Sequence, residues 1–257
     1  MSQQTALLQY TLHLADDALI LGHRNSEWTG HGPILEQDIA LSNIALDLIG
    51  QARNFYQYAA TLQNQADPAA AVTEDHLAYL RDAWDFRNSL LVEQANGDWA
   101  RTILRQFFFS AYQFYLYERL QYSKDAKLAA IGEKSYKEVV YHLRWSSEWV
   151  IRLGDGTEES HTRMESALSA LWKFTGELFL PVGYEQLLAR EGIGGDLVTL
   201  QPKWMEKVQE VFAEAGLKTG EGLWMQTGGK EGRHTEELGY ILAEMQFLQR
   251  AYPGCEW

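Results

Sequence analysis

Glu231 and His234 have the spacing of a metal-binding Glu-x-x-His motif. In a helical bundle, such a pair puts a carboxylate and an imidazole on one helix face, and two pairs with two further carboxylates hold a di-iron centre. The only other pair with this spacing, Glu158 and His161, directly follows the helix-ending stretch "RLGDGT" (152–157). Glu231 and His234 lie in a glycine-rich stretch, "TGGKEGRH" (227–234), and a loop holds such ligands less rigidly than a helix does. We therefore interpret this pair as a chance match near the start of a helix.

Glu138 and His142 form a second polar pair, at the i, i+4 spacing of neighbours on a helix surface. Trp145 and Trp149 lie on the same face, so the pair is predicted to point towards the interior. Both a hydrogen-bonded structural pair and a pair of metal ligands are consistent with this spacing.

Two apolar stretches contain further polar residues that could belong to a buried site. Asp16 and Asp17 interrupt "LADDALIL", so we expect one of them to face the interior and to pair with a His or an Arg. In "DLIGQ" (47–51), Leu48 and Gln51 stand where a Glu-x-x-His would be expected. Leu cannot bind a metal, and Gln is a poor ligand for iron. We therefore predict a polar core with no catalytic residue and no metal, formed by Asp16, Asp47, Gln51, Glu138 and His142.

Helices must position these residues, because apolar residues recur at helical spacing along almost the whole chain. The pattern predicts an all-α fold, a bundle of long helices with extra helices. The predicted helices cover 5–24, 35–63, 73–87, 98–122, 126–153, 160–180, 202–214 and 234–250. The helix at 98–122 is apolar on nearly every side, which is typical of a central helix. No repeat or linker divides the chain, so we expect a single domain over residues 1–257.

The predicted helix at 35–63 has an unusual polar face. Its members are amides and one carboxylate rather than Lys and Glu, namely Asn43, Asp47, Gln51, Asn54 and Gln57. Amide side chains on a covered face can form hydrogen bonds with the groups that cover it. A face in contact with solvent usually carries more charged side chains. We expect this face to be covered by the bundle interior or by another subunit. A solvated face rich in amides is the alternative.

The overall composition excludes several classes of partner. The net charge is −13, which repels nucleic acid and anionic lipid. Apolar residues make up 46% of the chain, enough for a core, yet no apolar run is long enough to cross a membrane. Cys255 is the only cysteine, and the first residues lack the basic start of a signal peptide. We therefore expect a cytoplasmic protein.

Several long stretches resemble the C-type subunits of bacterial phenylacetyl-CoA 1,2-epoxidases. These enzymes are multicomponent monooxygenases that form the ring 1,2-epoxide of phenylacetyl-CoA in aerobic phenylacetate breakdown. The resemblance covers essentially the whole chain. It is carried by "SEWTGHGPILEQDIALSNIALDLIGQARNFYQYAA" (26–60), "NSLLVEQANGDWA" (88–100), "YHLRWSSEWVIRLGDGT" (141–157) and "GGKEGRHTEELGYILAEMQFLQRAYPGCEW" (228–257).

The resemblance implies a ferritin-like fold and a structural, non-catalytic role. In that family a paralogous catalytic subunit keeps the di-iron ligands, and the C-type subunit has lost them. The expected partners are that catalytic subunit and the other subunits of the complex, and the isolated chain is expected to self-associate. Leu48 and Gln51, together with Val139 three residues before His142, agree with the loss of ligands.

The resemblance also implies that this subunit borders the acyl-CoA site, through the segment Asp85, Phe86, Arg87 and Asn88. Arg87 is expected to meet an anionic group of CoA, and Phe86 to cover an apolar one. The alternative is a plain helix C-terminus with Asn88 as its cap.

Two other functions remain open at this point. One is a stand-alone di-metal oxidase that draws atypical ligands from Asp16, Asp47, Glu138 and His142. The other is a helical scaffold without chemistry.

Overall fold

The computed structural model describes residues 1–220 and 224–255, and these residues form helices and no strands. This confirms the predicted all-α fold. The α-helices are α1 (Gln3–Ser26), α2 (Leu35–Ala66), α3 (Glu74–Tyr79), α4 (Leu90–Glu93), α5 (Trp99–Leu120), α6 (Ala126–Gly154), α7 (Glu158–Leu171), α8 (Gly183–Glu191), α9 (Leu197–Ala215), α10 (Glu236–Met245) and α11 (Phe247–Ala251). No helix in the described part of the chain combines the length and apolar character needed to span a membrane.

The predicted helix at 73–87 is wrong as a single element. Helix α3 ends at Tyr79, and a separate 3₁₀ turn covers Ala83–Asp85. Arg81 lies in the break, where its Nε donates to the carbonyl of Leu77 at 2.5 Å and its guanidinium turns to Asp16. The ion pair between Arg81 and Asp16 thus lies where the helix stops, although the local hydrophobic pattern predicts that the helix continues.

Two other predicted helices are interrupted, and two short helices, α4 and α8, were missed. The predicted helix at 160–180 becomes α7 followed by two 3₁₀ turns, Trp172–Phe174 and Gly176–Phe179. The predicted helix at 234–250 divides into α10 and α11 at Gln246, whose side-chain amide donates to the Arg81 carbonyl at 3.0 Å. Helix α8 lies in a stretch that the sequence pattern leaves irregular.

The chain groups into two compact units, and the single-domain assignment stays a prediction. The first unit comprises Met1–Ala95 and Gly228–Trp257. In it, α1 packs along α2 and also contacts α4 and α10. The second half of α1 is buried on almost every side. Its two aspartates, Asp16 and Asp17, lie within this buried stretch among apolar residues. Gly22 permits the close approach of the two long helices, since a Cβ at this position would lie 3.0 Å from Ile49 Cγ1.

The second unit, Asn96–Thr227, is built around α5. This helix packs against α6, α7 and α9, which confirms its predicted central place. Aromatic rings fill the space between α5 and α9: the ring centroids of Phe108 and Trp204 are 5.7 Å apart, and those of Trp204 and Trp172 are 6.0 Å apart. The indole N–H of Trp204 donates to the Phe108 carbonyl at 2.9 Å, so burial leaves this polar group paired.

The amide-rich face of α2 is covered in part only. Gln51 is buried, and Asp47 and Asn54 are half-buried. Asn43 and Gln57 are exposed, so the bundle interior does not cover these two residues. Coverage by another subunit stays a prediction.

Candidate functional site

A buried cluster of polar side chains in the first unit is the candidate functional site. It surrounds the chain segment 81–93, which runs between α3 and the end of α4. We refer to it as the buried polar cluster, and its members are His13, Asp16, Asp17, Tyr56, Arg81, Ser89, Glu93 and His234.

Asp16 is the most heavily hydrogen-bonded acid on α1. One carboxylate oxygen accepts from the Tyr56 hydroxyl at 2.5 Å and forms an ion pair with Arg81. The other oxygen accepts from the backbone N–H of Arg87 at 2.8 Å. Burial and the adjacent Asp16 charge raise the pKa of Tyr56 well above its usual value, so its hydroxyl remains protonated and donates. These donors match the capacity of an ionised carboxylate.

Asp17 and His13 hold the next part of the segment. One Asp17 oxygen accepts from the backbone N–H of Ser89 at 2.7 Å and from its hydroxyl at 2.9 Å. His13 Nδ1 donates to the carbonyl of Arg87 at 2.7 Å, and its Nε2 lies 3.6 Å from the second Asp17 oxygen. Burial raises the pKa of Asp17 to about 6, although His13, Ser89 and Lys230 lower it.

Glu93 and His234 form the third part of the cluster. One Glu93 oxygen accepts from the backbone N–H and the hydroxyl of Thr235, at 2.7 and 2.8 Å. The other accepts from Asn88 Nδ2 and from His234 Nδ1, both at 2.8 Å. His234 Nε2 donates to the Phe86 carbonyl at 3.0 Å. Burial lowers the pKa of His234, but the Glu93 carboxylate, the Phe86 carbonyl and the Asp16 charge together outweigh burial and leave that pKa raised.

Arg87 lies at the edge of this cluster with its side chain half-exposed. Its Nη1 donates to the carbonyls of Trp84 and Phe86 at 2.7 and 2.8 Å. No carboxylate of the described residues forms an ion pair with it. Gly232, at φ +84°, makes room for the guanidinium, because a Cβ at this position would lie 2.5 Å from Nη1. The arrangement presents a positioned cation that can accept an anionic group.

The other three residues predicted at the substrate boundary have different environments. Asp85 is exposed. Phe86 is fully buried, with the Arg81 guanidinium 4.2 Å above its ring centroid. Asn88 is buried and donates to Glu93, and it follows an extended Phe86 rather than a helix, so the alternative of a helix cap at Asn88 is wrong.

The predicted polar core is distributed over both units. Asp16 and Gln51 are buried in the first unit, and Asp47 is half-buried there. In the second unit, His142 is buried and Glu138 is half-buried. Across residues 1–220 and 224–255, no three His, Cys, Asp or Glu side chains converge in a way that could hold a metal ion.

Sequence reasoning missed Arg81, Glu93 and the role of His234. Glu93 had a local signal, since it is a lone charge after the apolar run "LLV" (90–92). His234 was seen only as half of a motif with Glu231. In the structure it pairs with Glu93, 141 positions away along the chain, and Glu231 pairs with Arg233 at the surface. The spacing of residues along one helix does not reveal a contact between residues that are far apart in the sequence, such as His234 and Glu93.

The fold and the cluster define an all-α protein whose buried charges are hydrogen-bonded to one another and to the backbone. The family model described as phenylacetic acid catabolic protein matches residues 1–257, and the chain belongs to this family of ferritin-like helical proteins. It is 49% identical over 257 residues to the C subunit of 1,2-phenylacetyl-CoA epoxidase from Escherichia coli strain K12. The match covers 100% of both chains.

Proposed function

We propose that this chain is the structural, non-catalytic subunit of a multicomponent monooxygenase that epoxidises the ring of phenylacetyl-CoA in aerobic phenylacetate catabolism. The observation that carries the proposal is the 49% identity, over both full lengths, to the C subunit of such an epoxidase. A paralogous ferritin-like subunit supplies the di-iron centre and the catalytic residues. The complex works in the cytoplasm.

The residues at the expected ligand positions support a non-catalytic role. Leu48 is fully buried in the helix pair, and Gln51 beside it is buried too. Asp16 already accepts hydrogen bonds from Tyr56, Arg81 and the backbone of the 81–93 segment. A carboxylate engaged in this way has little capacity left for a metal ion. These contacts argue against the stand-alone di-metal oxidase.

The proposed contact with substrate is made by Arg87, at the boundary with the catalytic subunit. In a chain of net charge −13, a half-exposed Arg that is fixed by two backbone carbonyls and ion-paired with no described carboxylate is suited to an external anion. Acyl-CoA carries such anions in its phosphate groups. Asp85 borders the site, whereas the buried Phe86 and Asn88 contribute through the shape of the segment.

An exposed apolar row on α2 supports assembly with another subunit. Leu35, Ile39 and Leu46 are all more than half exposed, although they are large aliphatic side chains. Such a row on a long helix is typical of an interface rather than of a solvated surface. We propose that this row is covered by the catalytic subunit in the complex, and that the isolated chain self-associates through the same row.

Kinetics of the reconstituted epoxidase complex test the substrate contact. Arg87→Ala removes charge-assisted hydrogen bonds worth about 1.5–3 kcal/mol, so KM for phenylacetyl-CoA should rise by roughly tenfold to a hundredfold. Arg163→Ala is the control, because Arg163 is exposed and paired with Glu159 on the surface of α7. An unchanged KM in Arg87→Ala, with the complex intact, would refute the contact.

A further inference from the structure

We propose that His234 and Glu93 are positioning residues that orient Arg87 towards the acyl-CoA. This inference rests on the proposed function, because it assigns a role to residues behind the same substrate contact. Neither side chain reaches the surface: Glu93 is fully buried and the His234 side chain is 5% exposed. They act on Arg87 through the backbone of the 81–93 segment.

The hydrogen bonds of His234 require a particular protonation state. Nδ1 faces a carboxylate oxygen of Glu93, and Nε2 faces the carbonyl oxygen of Phe86. Both partners accept, so both ring nitrogens must donate, and a neutral imidazole has only one donor. Glu93 receives four donors and is therefore the ionised partner. The pair is a buried imidazolium and carboxylate.

Glu93 is itself fixed on two sides. Thr235, which donates to it through the backbone and the hydroxyl, is the residue at the N-terminal cap of α10. A carboxylate is stabilised there by the partial positive charge of the helix end. Asn88 donates to it from within the 81–93 segment. His234 is thus held by an anion that is anchored to α10 and to the segment.

The Phe86 carbonyl couples His234 directly to Arg87. This one oxygen accepts from His234 Nε2 at 3.0 Å and from Arg87 Nη1 at 2.8 Å. The guanidinium is therefore oriented by a carbonyl whose own direction His234 fixes. Asp16 accepts from the Arg87 N–H, which belongs to the same planar peptide group as the Phe86 carbonyl, so Asp16 and His234 hold that group from its two ends.

Loss of His234 should leave this peptide group held at its N–H end only, by Asp16 of α1. Arg87 would keep its charge and its place in the chain, but the direction of its guanidinium would be less well defined. The expected defect is weaker binding of acyl-CoA with chemistry at the partner subunit little affected. A residue that only stabilised the fold would not show this selectivity.

Hydrogen exchange in the assembled complex tests the anchoring. We expect His234→Ala, and Glu93→Gln to a smaller extent, to speed amide exchange in the peptide that covers residues 82–92, by about tenfold or more at the Arg87 amide. Glu93→Gln preserves the side-chain shape, so it guards against a folding failure of the first variant. His161→Ala is the control, since His161 also bonds a backbone carbonyl and faces a Glu, but on α7. Unchanged exchange in both cluster variants would overturn the inference.

A double-mutant cycle on KM tests the link to Arg87. In the native complex, His234→Ala should raise KM for phenylacetyl-CoA by about tenfold, the effect of roughly one hydrogen bond, with kcat changed much less. In an Arg87→Ala background the same change should alter KM by less than about twofold, because its target is gone. Additive effects would show that His234 acts elsewhere and would overturn the inference. If Arg87→Ala alone leaves KM unchanged while exchange in His234→Ala is fast, the substrate contact fails and the anchoring stands.

Discussion

Asp16 and Arg81 form an ion pair from which water is almost excluded, with side-chain exposures of 0% and 10%. Tyr56 and the Arg87 backbone N–H complete the hydrogen bonds of the carboxylate, and the Phe86 ring lies beneath the guanidinium. The pair joins α1 to the segment after α3, where the helix predicted over residues 73–87 is interrupted. Its charges are stable in the interior because each has specific partners.

Removal of Arg81 should therefore be costly. Arg81→Met leaves the Asp16 carboxylate buried without its counter-ion, which typically lowers the free energy of unfolding by about 3–5 kcal/mol. Urea unfolding of the isolated chain, followed by circular dichroism, measures the change.

An exposed ion pair supplies the control for that variant. Arg163 pairs with Glu159 at 2.6 Å on the surface of α7, so Arg163→Met should leave the free energy of unfolding nearly unchanged. Equal losses in the two variants would mean that the burial of the Asp16 pair has no energetic consequence, against our interpretation.

The raised pKa of Asp17 gives stability a defined pH dependence. Its carboxyl group has a pKa of 3.8 when unfolded and about 6 when folded, so the folded state binds the proton more tightly. The stabilisation from this group is complete below the unfolded value and is lost as the pH rises through the folded value. The pKa of His234 is also raised in the folded state, so the stabilisation from His234 is likewise lost as the pH rises, but at higher pH values.

Asp17→Asn isolates the contribution of this group. Asn retains an oxygen for the Ser89 N–H and hydroxyl but does not titrate. Between pH 4 and pH 7, the stability of the native chain should fall relative to the variant by roughly 2 kcal/mol. His13 and Lys230 face the same carboxylate, so the comparison should be made at constant ionic strength. A stability difference that is independent of pH would contradict the assignment.

Local patterns predicted the long helices well and the buried polar cluster poorly. Helix α5 was predicted because its apolar character is visible in a single window of sequence, and α1 and α2 follow the same rule. The break after α3 depends on Arg81 turning to Asp16, 65 positions earlier in the chain. The partnership of Glu93 with His234 is still more distant in sequence. Hydrophobic periodicity contains no information on such pairs, because they form only after the helices have packed.

Iron content tests the predicted absence of a metal centre from this chain. Since Leu48 and Gln51 occupy the expected ligand positions and Asp16 is engaged by Arg81, we expect the purified chain to contain no stoichiometric iron. The purified catalytic subunit, loaded under the same conditions, is the positive control. Elemental analysis that finds two iron atoms in each copy of this chain would refute the prediction and favour the stand-alone oxidase.

The exposed row on α2 tests the proposed assembly. Leu46 is 66% exposed in the first unit, so Leu46→Lys should leave folding intact when measured by circular dichroism and thermal unfolding. In the complex the new charge would be buried without a partner, which should weaken assembly with the catalytic subunit by about a hundredfold or more. Val198→Lys on α9 is the matched control, because Val198 is 65% exposed and also lies on a helix. Sedimentation of each variant with the catalytic subunit measures the affinity. If Leu46→Lys assembles as well as Val198→Lys and the native chain, the row is ordinary surface and the catalytic subunit docks elsewhere.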